Sequence, residues 1–355
     1  MRVGIYAPDA GGHRLVYARL LVDAVHERGE VPVLLTLQDV PSSIEFHTHF
    51  SGVSVELYVL PERPRALWDL GVRAQSMSLG SLIVPEGDGF VVNMVRRTWR
   101  FAVNLTVLVN RDPMLGPWAP PSKEVIRRLV KAAALAVLRR RRGARVVVLG
   151  SPMAVSDIRS VPDPVILDAS VESTVSAGQA LRSTFPGPAA YYVGLLGGIS
   201  ERKCPVVVME AVARASEFVG PLGLAMIGPG SGEWVTEEPA MRERLERAGV
   251  AYWREDRVLT NGEMNQAVAA VDAVMLAYTT HVPNSTAAKA RALGTRVLGA
   301  GSGDFCRYIE SCGGSTVTSL TPGALSNLII GAFDRPRPEP EGDDSLERFL
   351  NAMLA

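Results

Sequence analysis

Two cations follow a glycine-rich exit from an apolar run in the middle of the chain, in the segment Gly197-Gly198-Ile-Ser-Glu-Arg202-Lys203. Guanidinium and ammonium groups form charge-assisted hydrogen bonds with phosphate oxygens, and the start of a helix adds backbone N–H donors. We therefore interpret Gly198, Arg202 and Lys203 as a diphosphate-binding loop. The alternative is an ordinary solvent-exposed loop between a strand and a helix.

A second cationic segment begins a short Ala-rich helix and contains His281, Asn284, Ser285, Thr286 and Lys289. The two hydroxyl residues are good N-caps, and Lys289 lies on the same helix side as Ser285 because the two are four positions apart. This combination suits an anion, most simply a phosphate. Plain helix capping and a solvent-exposed lysine are the alternatives.

A third glycine-rich segment, Ile227-Gly-Pro-Gly-Ser-Gly232, also ends an apolar run. Its glycines, Gly230 among them, suggest backbone close to the same ligand, although a Pro-Gly turn explains the pattern equally well.

In the first half, Asp9-Ala-Gly-Gly-His13 follows the first apolar run. Gly11 and Gly12 allow the backbone to approach a ligand, and the spacing is not the GxGxxG of dinucleotide-binding proteins. A neutral His13 imidazole would suit a general base for a hydroxyl group, whereas a tight turn with a solvated histidine is the alternative. Asp112 follows a later apolar run and is the second catalytic candidate, a carboxylate that would reach the cleft, although an Asx-Pro turn explains it about as well.

Short apolar runs alternate with helical patterns throughout, which predicts parallel α/β layers. The alternation breaks near Phe185-Pro186-Gly187-Pro188 and then restarts. We therefore expect an N-terminal domain over residues 1–184, a second domain over 188–334 and a C-terminal helix over 345–355. Each domain should be doubly wound and Rossmann-like, and the carboxyl ends of their strands should face an interdomain cleft.

The composition excludes several classes of function. Among 355 residues, Lys and Arg number 37 and Asp and Glu number 37, so no bulk charge indicates nucleic acid. The three cysteines contain no CxxC pair, and no apolar run reaches the roughly 20 residues that span a bilayer. The N-terminus shows no signal-peptide pattern, and we expect a cytoplasmic protein. Arg139–Arg142 could contact anionic lipid, but a solvated helix end is favoured, and nothing in the sequence indicates an oligomeric state.

The order of motifs in the second half resembles the nucleotide-sugar domain of GT-B glycosyltransferases and is similar to the group-1, glycogen-synthase-like family. The likeness covers about Tyr191 to Val317 and rests on the segments VGLLGGISERK, AMIGPGSG, LTNGEMNQAVAAVDAVMLAY and KARALGTRVLGAGSGDF. It implies that Arg202 and Lys203 hold the diphosphate of a sugar donor. It also implies that the helix start at Ser285 lies near the distal phosphate, and that the C-terminal helix packs back on the N-terminal domain.

The resemblance implies transfer of a sugar from a nucleotide diphosphate donor to a small-molecule or glycan acceptor bound by the first domain. It implies no metal and no further cofactor, because cations and helix dipoles neutralise the leaving diphosphate. His13 would be the acceptor base if the anomeric carbon inverts, and would only position the acceptor if configuration is retained.

This sequence departs from the family pattern at the paired glutamates, whose positions carry His281 and Lys289, and at the glycine after the lysine, which is Cys204. The roles of the two glutamates cannot be carried over. Two alternatives therefore stay open: a catalytically degenerate GT-B protein that binds nucleotide-sugar as an auxiliary partner, and a nucleotide-sugar epimerase of the same fold.

Overall fold

The computed structural model describes residues 1–11, 14–90, 92, 99–110, 123–138, 144–149, 160–187, 189, 191–279, 285–342 and 344–355. The chain divides into two compact units, Met1–Pro162 with Glu347–Ala355, and Asp163–Leu346. Over these described ranges, every helix is too short or too polar to cross a bilayer.

The first unit is built on a parallel sheet of seven strands in the order β3-β2-β1-β4-β5-β6-β7. The strands are β1 (Arg2–Tyr6), β2 (Val31–Leu37), β3 (Glu56–Leu60), β4 (Ser81–Val84), β5 (Asn104–Val109), β6 (Ala144–Leu149) and β7 (Ser160–Val161). Its described helices before the second unit are α1 (Arg14–Glu27), α2 (Ile44–Phe50), α3 (Leu67–Ser76) and α4 (Lys123–Leu138). The inner strands read as nearly continuous apolar runs because helices cover both faces of the sheet, whereas the edge strand β3 is exposed except at Leu60.

The second unit has a parallel sheet of six strands in the order β10-β9-β8-β11-β12-β13. These are β8 (Tyr191–Leu196), β9 (Leu222–Ile227), β10 (Ala251–Glu255), β11 (Ala273–Ala277), β12 (Arg296–Ala300) and β13 (Ser315–Val317). The helices are α5 (Val171–Arg182), α6 (Pro205–Ala215), α7 (Trp234–Arg247), α8 (Asn261–Ala270), α9 (Ser285–Ala292), α10 (Gly303–Ser311) and α11 (Pro322–Phe333). The C-terminal helix α12 (Ser345–Leu354) passes into the first unit at Glu347.

Each sheet carries one apolar cluster on each face. In β2, Val33 and Leu35 pack into one cluster and Leu34 into the other, as the two-residue period of a strand requires. The predicted α/β class with two doubly wound units is confirmed.

The order in which successive strands join the sheet reverses once in each sheet. In the first sheet, β1 to β3 run toward one edge and β4 to β7 toward the other, so the switch point lies between β1 and β4. In the second sheet the corresponding switch point lies between β8 and β11. Ligands of open α/β sheets bind at the carboxyl ends of the strands at such points.

The boundary between the units lies at Pro162 and Asp163, upstream of the predicted division at 184–188. Helix α5 belongs to the second unit because it packs closely on α8: a Cβ on Gly178 would lie 2.5 Å from the Cβ of Ala269. Arg182 Nη1 also donates to Asp272 Oδ2 at 2.7 Å. The apparent linker at Pro186-Gly187 therefore lies within the second unit.

The residues from Glu347 to the end belong to the first unit. The Phe349 ring is fully buried and its centroid lies 5.3 Å from that of Tyr17. Arg28 Nη1 donates to the carbonyl of Leu354 at 2.6 Å. The C-terminal helix is thus part of the core of the first unit.

The apolar pattern of Val165–Asp168 predicts a further strand, and this prediction is wrong, because the segment lies outside both sheets. Its Ile166 carbonyl accepts hydrogen bonds from the Asn261 and Asn265 side chains of α8, at 3.0 and 2.9 Å. Side chains of a helix, and not a neighbouring strand, hold the segment in place.

Candidate functional site

The loop after β8 lies at the switch point of the second sheet, where β8 and β11 are neighbours. Gly197 ends the strand with a φ of +76°, a left-handed conformation that favours glycine. The ammonium of Lys203 lies beside this glycine, with its Nζ 3.5 Å from the ideal Cβ position of Gly197. The predicted Gly198 is exposed, with open space around its Cα.

Lys203 is the buried cation of this loop, with 6% of its surface exposed. Its Nζ donates to the carbonyl of Leu196, the last residue of β8. Burial, reinforced by the charge of Arg202, lowers its pKa to about 7. Within the described part of the chain, no carboxylate pairs with this ammonium. A buried ammonium held by one neutral oxygen is costly unless an anion joins it.

Arg202 points differently from its neighbour and is exposed. Its guanidinium carbon lies 5.5 Å from the ring centroid of Tyr278, just after β11. The backbone N–H of Thr279 donates to the Arg202 carbonyl at 3.1 Å. The loop after β8 is therefore joined to the end of β11, across the switch point, and the guanidinium is held at the surface there.

Cys204 follows the lysine and caps helix α6 with a φ of +48°. A left-handed backbone at a residue with a side chain costs about 1–2 kcal/mol. The position therefore has the backbone geometry of a glycine, in agreement with the glycine that the family resemblance places there.

The loop after β9 has a mainly structural role in this arrangement. A Cβ on Gly228 would lie 2.4 Å from the Gly197 carbonyl oxygen, so the two loops pack backbone to backbone. The N–H of the predicted Gly230 donates to Asp256 Oδ1 at 2.8 Å and is therefore already occupied.

Helix α9 begins at Ser285, directly after the segment that contains the predicted His281 and Asn284, which lie outside the described residues. Ser285 and Thr286 are both buried, and the first turn holds no acidic residue. The helix start follows β11, one of the two strands at the switch point, and so it lies at the same edge of the sheet as the loop after β8.

The Lys289 ammonium was predicted to bind a phosphate, but in the structure it contacts oxygens of the protein. The residue is 4% exposed, and its Nζ donates to Asn261 Oδ1 at 2.6 Å, to the Ile166 carbonyl at 3.2 Å and to Asn265 Oδ1. Three N–H groups therefore meet three neutral oxygens. Burial lowers the pKa of Lys289 to about 8, while Asp168 and Asp163 act in the opposite direction. This lysine holds the Ile166 segment on helix α8.

The predicted residues of the first unit fall mostly outside the described ranges: Gly12, His13 and Asp112 do, and Gly11 is exposed with open space around it. The sequence interpretation missed a polar cluster that the structure shows at the carboxyl edge of the first sheet. It includes Asp9, Arg14 and Glu86, which form ion pairs near the ends of β1 and β4. Its only sequence signal was the position of Asp9 after a strand.

Comparison with known proteins identifies the fold. No protein-family model matches the sequence, and no curated protein does. HepE of Anabaena, solved in complex with UDP, is 14% identical with a TM-score of 0.63, and the match covers 100% of this chain and 94% of that one. A glycosyltransferase from Rickettsia africae is 11% identical with a TM-score of 0.61, covering 99% and 95%.

A Listeria monocytogenes protein described as a UDP-N-acetylglucosamine 2-epimerase is 12% identical with a TM-score of 0.56, covering 99% of this chain and 95% of that one. Proteins with different described activities therefore share this architecture, and the likeness identifies the architecture alone. The chain has the two-unit, doubly wound GT-B fold.

Proposed function

We propose that this protein is a glycosyltransferase that uses a nucleotide diphosphate sugar, with the diphosphate bound at the carboxyl edge of the second sheet. One observation carries the proposal: the Lys203 ammonium is buried at the switch point with a single neutral acceptor. An anion placed beside Gly197 would receive its remaining N–H groups. The fold, shared with a protein solved with UDP, supports a nucleoside diphosphate as that anion.

Three groups would share the charge of the diphosphate. Lys203 would bind it from inside the loop, Arg202 from the surface, and the α9 start at Ser285 and Thr286 would add backbone N–H donors. Stabilising the charge that develops on the leaving nucleoside diphosphate would accelerate sugar transfer. His281, Asn284 and Gly198 remain predicted neighbours of this site.

We propose that these cations make a bound metal unnecessary for transfer. Turnover in the presence of excess EDTA should equal turnover in buffer, after a desalting step that removes bound ions. A complete loss of activity that Mg²⁺ or Mn²⁺ restores would contradict this part of the proposal.

The donor assignment is tested by calorimetric titration of UDP, GDP and dTDP, followed by assays of nucleoside diphosphate release from the corresponding sugars. Lys203→Met should weaken binding of the preferred nucleotide by about 100-fold, because it removes a charged hydrogen bond of roughly 3 kcal/mol. Arg247→Met removes an exposed arginine of α7 and is the matched control, with unchanged affinity expected. Full binding by Lys203→Met would overturn the diphosphate assignment.

The epimerase alternative has support from the structural likeness to the Listeria protein. Incubation with UDP-N-acetylglucosamine alone, followed by chromatography of the sugar nucleotides, separates the two activities. Conversion of the donor to an epimer without any acceptor would favour the epimerase. Tight nucleotide binding with neither transfer nor epimerisation would favour the auxiliary, non-catalytic protein.

A further inference from the structure

Two loops at the carboxyl edge of the second sheet, those after β8 and β9, are joined to each other by hydrogen bonds. Ile199 and Gly230 form an isolated parallel bridge beyond the ends of the two strands. The Ile199 N–H donates to the Pro229 carbonyl at 2.8 Å, and its carbonyl accepts from the Ser231 N–H at 2.9 Å. The buried Trp234 indole also donates to the Ile199 carbonyl, at 3.1 Å. The loop after β8 is therefore held against the start of helix α7.

Helix α7 takes its N-terminal cap from the loop after β8. Among the described residues, Glu233, which directly precedes the helix, forms no capping hydrogen bond with its side chain. Instead, Oε1 of Glu201 accepts from the backbone N–H of Trp234, the first residue of the helix, at 3.3 Å. Hydrogen bonds from its own backbone N–H and from that of Trp234 lower the pKa of the Glu201 carboxyl, so it is ionised at neutral pH. A negative charge is favourable there, because the free N–H groups of a helix start carry partial positive charge.

Gly232 makes room for this carboxylate. Its φ is +101°, and a Cβ at this position would overlap both carboxylate oxygens of Glu201. A residue other than glycine would therefore push the carboxylate away from the helix start. The sequence suggested a ligand close to this glycine-rich segment, whereas the structure places a carboxylate of the protein itself over its last glycine.

Glu201 also begins the turn that separates the two cations of the loop after β8. We call residues 197–204 the donor loop. Glu201–Lys203 form a short 3₁₀ helix, and the Cys204 N–H donates to the Glu201 carbonyl at 3.0 Å. This turn leaves Arg202 exposed and Lys203 buried. In the described part of the chain, neither cation pairs with the Glu201 carboxylate, which therefore neutralises the start of α7 and not the donor loop.

We propose that Glu201 is a positioning residue for the diphosphate site, which acts by anchoring the donor loop to the start of helix α7. This inference rests on the proposed function, because it concerns the same site. The anchored turn keeps Lys203 directed inward beside Gly197, where the diphosphate would bind. The carboxylate also occupies a helix start that would otherwise attract phosphate away from Lys203.

The test measures by calorimetry how tightly variants of the full chain bind the preferred nucleotide among UDP, GDP and dTDP. Glu201→Ala should weaken binding by about tenfold, because the donor loop loses its anchor. Glu201→Gln keeps an oxygen that can accept from the Trp234 N–H, and it should restore the affinity to within about threefold of the wild type. Glu243→Ala, at an exposed glutamate of the same helix, is the matched control and should bind like the wild type.

A double-mutant cycle shows whether Glu201 acts through the donor loop. In the Lys203→Met background the inward cation is already absent, so Glu201→Ala should weaken binding further by less than about threefold. A second full tenfold loss would overturn the positioning role. Unchanged affinity in Glu201→Ala would overturn it too, as would an equal loss in Glu243→Ala, which would indicate a general charge effect.

Hydrogen exchange of the nucleotide-free protein tests the anchor separately. Peptides that cover residues 197–204 and 231–236 should exchange about fivefold faster in Glu201→Ala than in the wild type and in Glu243→Ala. Nucleotide binding by the wild type, with unchanged exchange and affinity in Glu201→Ala, rejects only this inference. If the wild type binds none of the three nucleotides while Glu201→Ala still exchanges faster, the sugar-donor site is rejected and the anchor of the loop is confirmed.

Discussion

Lys203 and Lys289 are two buried lysines of the second unit that differ in what holds their ammonium groups. Lys203 Nζ donates to one backbone oxygen, whereas Lys289 Nζ donates to two amide oxygens and one carbonyl. The first ammonium is incompletely satisfied and the second is fully satisfied. We therefore expect the two residues to respond in opposite ways to ligand and to substitution.

Nucleotide binding should depend on pH through Lys203. Its pKa is lowered to about 7 in the free protein, and a bound diphosphate would raise it. Binding must then take up a proton above pH 7, so UDP affinity should fall by up to tenfold per pH unit above that value. Calorimetry at pH 6.5, 7.5 and 8.5 in two buffers of different ionisation enthalpy measures both effects. A dissociation constant that is the same at pH 6.5 and 8.5 would contradict the assignment.

Lys203→Met should make the nucleotide-free protein more stable while it loses affinity for UDP. The folded pKa lies below the ordinary 10.5, so between pH 7 and 10.5 the unfolded chain binds more protons and wild-type stability rises with pH. The gain from the substitution should therefore be largest near pH 6, about 2 kcal/mol, and shrink toward pH 10. Urea unfolding at both pH values measures it. A less stable variant at pH 6 would show that the ammonium is structurally satisfied.

Lys289→Met should behave in the opposite way and destabilise the fold by about 3 kcal/mol, because it leaves the amide oxygens of the buried Asn265 and the half-buried Asn261 without this donor. UDP affinity should change less than about threefold. Adding Asn265→Leu to Lys289→Met should recover part of the loss, since neighbouring substitutions are not additive. Strict additivity in a double-mutant cycle by urea unfolding would count against the network.

Arg337 should stabilise the second unit although it lies in an exposed, Pro-rich segment. Its guanidinium donates to the Gly294 carbonyl at 2.8 Å, to the Ala269 carbonyl at 3.1 Å and to Thr295 Oγ1 at 2.7 Å. Arg337→Met should lower the free energy of unfolding by about 1–2 kcal/mol. Arg335→Met, at an exposed arginine two positions earlier, should change it by less than about 0.5 kcal/mol. Equal effects would indicate a general charge effect of the segment.

The alternation of apolar runs and helical patterns was sufficient to predict two doubly wound units, because strand and helix periods are local properties of the chain. The same pattern predicted that the loop containing Arg202 and Lys203 directly follows a strand, which is β8. The domain boundary was misplaced because Pro186-Gly187 looks like a linker locally. Helix α5 joins the second unit through contacts such as Gly178 with Ala269, residues about ninety positions apart in the chain.

The sequence by itself therefore determined the architecture and the strand ends at which charged and glycine-rich loops gather. Only the tertiary structure decided which lysine has a fully satisfied ammonium group and which has a single acceptor. The three oxygens that satisfy Lys289 lie 24, 28 and 123 positions away in the chain, and no local pattern indicates them. Likewise, Arg14 forms ion pairs with both Asp9 and Glu86 only because β1 and β4 pair in the sheet and place distant loops at one edge. Long-range packing controls burial and hydrogen-bond partners, and these set the chemistry of an ionisable group.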